Sequence, residues 1–197
     1  MIQKRIKTSF PHHLLNCCTE QQSLYIADYT QKTKKEPKRR GVELSYQPPA
    51  DIECVMVENL RPIELDIVLF GQDSFKKQDG QIASQCECVL YPHENDEHSW
   101  ICFIEMKYSH SSDSNEKNIN KARLQLFRTQ YYYRREGIFG KTNSCYLVIS
   151  LPKQKPPFLN FTLTPAYLGE MKKRHSIIIY LQNAITISNE KQINVKS

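Results

Sequence analysis

Asp66, Glu105 and Lys107 are the residues of this chain whose types and surroundings suit chemistry on a hard divalent cation. Glu105 and Lys107 lie near the end of the run WICFIEMKY (100–108). Side chains alternate along a strand, so Ile101, Phe103, Glu105 and Lys107 point one way, and Trp100, Cys102, Ile104 and Met106 the other. The run is apolar on both faces until its end, as in a covered central strand that presents a carboxylate and an amine only at its C-terminal edge. Charges so placed are costly unless they are paired or used. Asp66 sits in the same way inside the apolar run IELDIVLF (63–70). If the two runs are neighbours, Asp66 and Glu105 converge on one cation that prefers carboxylate oxygens and water.

An intervening stretch, 71–98, contains CECVLYP and behaves as an added hairpin strand. It makes Glu87 a competitor for the first carboxylate. Asp66 ranks above it because an isolated acid within an apolar strand is the rarer placement.

Around these residues the chain alternates short β-rich runs with helical patterns. IECVMV, IELDIVLF, CECVLY and WICFIEMKY are separated by Gly, Asp, Asn and Pro clusters, as successive strands would be. Residues 115–136 read as a helix with Ile119, Ala122, Leu126, Thr129 and Tyr133 on its buried stripe, ended by Gly137. SCYLVISLP (144–152) is a continuous apolar run, the mark of a buried strand parallel to an earlier one through the crossover helix. A short helix near 165–174 and strands in SIIIYL and AITIS follow. Upstream, apolar residues at Leu14, Cys18, Tyr25 and Tyr29 predict a helix over 12–30, and QKTKKEPKRRG (31–41), with six Lys or Arg, predicts a solvated basic loop.

The Asp66 strand, the Glu105-Met106-Lys107 strand end, and the helix and strand behind them resemble the PD-(D/E)XK, or restriction-endonuclease-like, nuclease superfamily. The strings IELDIVLF and SWICFIEMKYS are similar to the paired strands of its Holliday-junction-resolvase-like branch. The resemblance covers about residues 60–150. It implies a single α/β domain with a central mixed sheet flanked by helices and an αβββαβ core. It further implies Mg²⁺- or Mn²⁺-dependent hydrolysis of DNA phosphodiesters, with Asp66 and Glu105 as metal ligands and Lys107 as the catalytic lysine. Relatives often carry a Gln or a basic residue on the following helix, which points to Gln125 with Lys121 behind it. A helix acid completes the metal site in some, a role open to Glu20, and many act as homodimers.

The helix supports this separately. Lys117, Lys121, Arg123, Arg128, Arg134 and Arg135 are basic, with no acid among residues 117–135. Lys121, Gln125, Arg128 and Tyr132 recur at helical spacing on one face, and Lys121, Arg123 and Arg128 are the expected nucleic-acid contacts. A net charge of +6 favours a polyanionic partner, DNA first and RNA second.

Seven cysteines without a disulfide framework suggest reduced thiols and a cytoplasmic protein. No run reaches the length of a membrane span, and no apolar segment follows the basic N-terminus as a secretory signal requires. His12, His13, Cys17 and Cys18, or Cys86 and Cys88 with His93 and His98, lack the pairing of a structural zinc site. The rival expectations are a nuclease-fold module that binds nucleic acid or a protein without turnover, and an interaction protein in which Glu105 and Lys107 form only a structural pair.

Overall fold

The computed structural model describes residues 1–71, 73–76 and 79–194. Among the described residues, three α-helices, α1 (Ile2–Ser9), α2 (Asn115–Arg135) and α3 (Pro165–His175), accompany eleven strands. These are β1 (Cys17–Glu20), β2 (Leu24–Asp28), β3 (Val42–Ser45), β4 (Val55–Asn59), β5 (Leu65–Leu69) and β6 (Cys88–Pro92), then β7 (Ile101–Met106), β8 (Cys145–Ser150), β9 (Ile177–Leu181), β10 (Ala184–Asn189) and β11 (Gln192–Asn194).

The strands make two mixed sheets in a single α/β domain. The larger has the order β1-β5-β6-β7-β8-β9, antiparallel from β1 to β7 and parallel through β8 and β9. The parallel β7–β8 pair is joined by α2, because parallel neighbours need a crossover and a helix covers the face it crosses. The smaller sheet has the order β11-β10-β4-β2-β3.

Alternation along each strand sorts the apolar residues into two cores. Val68, Val89, Tyr91, Ile101 and Phe103 face α1 and α2, where Ile119, Ala122, Leu126 and Tyr133 meet them. Leu65, Ile67, Leu90, Cys102 and Ile104 face the smaller sheet, meeting Leu24, Ile26, Val55, Val57, Ile185 and Ile187. The larger sheet is thus covered on both sides, and its central strands read as unbroken apolar runs for that reason.

The expected helix over 12–30 is not formed. A 3₁₀ turn over Pro11–Asn16 leads into β1 and β2 instead. Leu24, Ile26 and Asp28 share the inward face of β2, a period of two that the helix-like spacing of Leu14, Cys18, Tyr25 and Tyr29 concealed. The predicted helix of residues 115–136, the helix near 165–174 and the strands in IELDIVLF, CECVLY, WICFIEMKY, SCYLVISLP, SIIIYL and AITIS all form. No helix among the described residues is long and apolar enough to cross a membrane.

Candidate active site

Glu105 is fully buried at the end of β7, and Lys107 follows it on the same face. The Lys107 ammonium donates to Glu105 Oε1 and, at 2.7 Å, to Gln125 Oε1 of α2. Gln125 is fixed in turn because its Nε2 donates to the Gln85 carbonyl at 2.7 Å. One turn on, Thr129 Oγ1 accepts from the Cys86 backbone N–H at 2.8 Å and donates to the Gln125 carbonyl at 3.0 Å. Two hydrogen bonds therefore pin residues 85 and 86 against the helix. Gln125 and Lys107 thus meet through a direct contact that sequence spacing could not specify.

Glu87 is the next residue along. Its N–H donates to the Ile104 carbonyl at 3.0 Å, immediately before the pairing of Cys88 with Ile104, which brings Glu87 beside Glu105. Cys86 belongs to the core under α2 and Cys88 to the core between the sheets, so face alternation breaks there and Glu87 emerges at the end of the sheet. Burial, then the charges of Glu105 and Asp28, raise the Glu87 carboxyl well above the ordinary range, with Lys107 opposing them. Burial likewise pushes Glu105 up to about 7, against the pull of Lys107. Glu105 Oε2 is buried without a hydrogen-bond partner among the described residues.

Asp28 completes the acidic side of the site from the smaller sheet. It is 8% exposed and continues the inward face of Leu24 and Ile26. Its backbone N–H donates to the Tyr108 hydroxyl at 2.9 Å, which ties the end of β2 to the segment after β7. The sequence signal for it was the acid closing LYIAD, hidden by the helical reading of that stretch.

Asp66 is elsewhere, and the expected Asp66–Glu105 ligand pair is corrected here. Asp66 pairs with Thr19 and Tyr91, and the same antiparallel register sets Tyr91 level with Ile101, four residues before Glu105. Two strand spacings and four strand residues put their Cα atoms roughly 16 Å apart, too far for the two carboxylates to share an ion. Asp66 is fully buried, and its Oδ1 accepts from Thr19 Oγ1 at 2.7 Å and pairs with His93 Nδ1 at 2.8 Å. Glu20, on β1 rather than a helix, accepts from the Tyr46 hydroxyl and faces Leu65, farther still from Glu105.

The three expected nucleic-acid contacts diverge. Lys121 is exposed and lines a cleft of about 880 Å³ together with Gln125, Lys107, Glu87, Asp28 and Arg39. Arg128 is exposed farther along α2, whereas Arg123 is half-buried with its guanidinium over the Tyr167 ring of α3.

Glu87 and Glu105 fit a Mg²⁺ or Mn²⁺ ion by donor type. Such an ion takes one or two carboxylates and completes its shell with water and phosphate oxygens. Glu105 Oε2 has room for a cation or for a proton shared with Glu87, since burial raises the cost of leaving both acids charged and alone. No group of three His, Cys, Asp or Glu side chains among the described residues is placed to hold a metal ion, so the two glutamates would bind one with water and phosphate oxygens as the remaining ligands. Comparison with family models, curated proteins and solved structures returns no match.

Proposed function

We propose that this protein is a metal-dependent phosphodiesterase acting on DNA, a member of the PD-(D/E)XK superfamily in which Glu87, not Asp66, is the first carboxylate. The reading rests on one observation. Two carboxylates on adjacent antiparallel strands stand together at the end of the sheet, and the lysine two residues after the second is held by both that carboxylate and a glutamine of the crossover helix. The consecutive run β5, β6, β7, α2, β8 supports the reading as a βββαβ unit, with β1–β4 inserted between it and α1.

Glu87 and Glu105 would hold Mg²⁺ or Mn²⁺, which when bound lowers the pKa of its water and offsets charge on the phosphate. Both acids must release their protons to ligate, so their elevated pKa values make binding weaker below neutral pH. Lys107, fixed by Glu105 and Gln125, keeps a third N–H for a phosphate oxygen and supplies positive charge where the attacked phosphate gains negative charge. Gln125 acts through Lys107 and is a positioning residue.

The test is cleavage of labelled DNA in Mg²⁺ and Mn²⁺ by the natural protein and by Glu87→Gln, Glu105→Gln, Lys107→Ala and Asp66→Asn. The first three are expected to lose at least about 100-fold, the scale of removing one preorganised charge stabiliser. Asp66→Asn should retain activity. Cleavage surviving in Glu87→Gln, or binding without cleavage by the natural protein, would overturn the assignment.

A further inference from the structure

The cleft above Glu87 has two walls of different origin. One is α2, through Lys121 and Gln125; the other is the β2–β3 connection, through Thr30, Gln31, Arg39 and Arg40. That connection, read from sequence as a solvated basic loop, is folded. Thr33 is 2% exposed, its hydroxyl donates to the Tyr29 carbonyl at 3.0 Å, and it accepts from the Arg40 N–H at 2.8 Å, closing the base of the loop. The Arg40 guanidinium lies 3.3 Å from the centre of the Tyr29 ring and pairs with Glu43, while Lys32 pairs with Asp51.

Two of the six cations thus lock the loop. The other four, Lys34, Lys35, Lys38 and Arg39, are exposed and form none of the ion pairs among the described residues. Of these, Arg39 lines the cleft, and the excess positive charge of the segment favours an anionic partner there; the loop is already ordered, so little entropy is lost on meeting one.

The shape of the cleft selects among polyanions. The cleft, about 880 Å³, opens to solvent between these two walls. Glu87, Lys107 and Gln125 line its inner part. Ile82, 59% exposed, and Tyr108 add apolar surface to its lining, on which an unpaired base can lie. In a duplex the base faces are stacked on one another and hidden from such a surface, whereas a single strand can turn them onto it.

We infer that the β2–β3 connection is a nucleic-acid-gripping arm and that the substrate is an unpaired polynucleotide strand threaded between it and α2. This rests on the proposed phosphodiesterase reading for the cleft but is tested apart from it, by binding. In the Glu105→Gln protein, fluorescence anisotropy should compare a labelled single-stranded DNA oligonucleotide, the same sequence as a blunt duplex, and the matching RNA, from 50 to 200 mM salt. Single strands are expected to bind at least about tenfold more tightly than the duplex, and the DNA and RNA arms identify which strand is preferred. Lys38→Glu with Arg39→Glu should weaken single-strand binding at least about tenfold and reduce the salt slope by about 1.4, or 0.7 for each lost phosphate contact. Equal or tighter duplex binding, no binding to any strand, or an unchanged salt slope in the double variant would overturn the inference. Circular dichroism verifies that the variants fold. Failure of the natural protein to cleave would sink the phosphodiesterase reading while leaving the strand preference measurable.

Discussion

Asp66 and Glu105 are both fully buried acids in apolar strands, yet they differ in what surrounds them. The Asp66 carboxylate is satisfied at one oxygen by Thr19 and by His93, whose imidazole is raised above its usual pKa by that hydrogen bond and by the Asp66 charge. A histidine pKa raised on folding contributes stability that is complete below the unfolded value near 6.5 and is lost as pH rises through the folded value. Asp66→Asn should therefore lower the melting temperature more at pH 5.5 than at pH 8.5, with cleavage per folded molecule unchanged. A pH-independent loss would mean that the pair is not ionic, and lost cleavage would return Asp66 to the active site. Glu105 and Lys107 were legible at this scale because alternation and the abrupt polar end of a buried run need only local sequence. Choosing Glu87 over Asp66 needed the register of three strands, and a single acid in an apolar strand looks the same whether it meets a metal or a histidine.

Among the elements, α2 was the most legible, since Ile119, Ala122, Leu126, Thr129 and Tyr133 all face the core as their spacing predicts. Its role as the clamp on residues 85 and 86 was not legible, because it depends on side chain to backbone bonds with a segment about forty residues away in the chain. Residues 12–30 failed for a different reason: β1 and β2 are four and five residues long, too short for a period of two to outweigh a chance helical spacing. The clamp can be tested with Thr129→Val, which keeps the side-chain shape and strands the buried Cys86 N–H at a cost of about 1–3 kcal/mol. Cleavage should fall together with stability, since Glu87 follows directly in the chain. Ile101→Val, at the far end of β7, should cost about 0.5–1.5 kcal/mol and spare cleavage measured below its transition. Comparable cleavage in the two variants would show that α2 does not position Glu87.

At the scale of the whole molecule, the smaller sheet is what the sequence concealed most, because its strands come from residues 24–59 and 184–194 and pair across that separation, β10 lying parallel to β4. It supplies Asp28 and carries the β2–β3 connection, so the cleft exists only while the two sheets are docked. The docking is apolar, through the core that holds Trp100, the sole tryptophan, whose indole N–H donates to the Asn189 carbonyl of β10 at 2.8 Å. Its fluorescence reports on that interface, while far-ultraviolet circular dichroism reports on both sheets and the helices. Because the larger sheet shares its central strands with both cores, urea should give coincident transitions by the two probes. Ile187→Ala, on the inner face of β10, should shift both together by about 2–5 kcal/mol. An early fluorescence transition with preserved dichroism would mean that the smaller sheet undocks by itself. In that case strand binding should vanish at the fluorescence midpoint, which would make sheet docking, and not global unfolding, the event that limits the cleft.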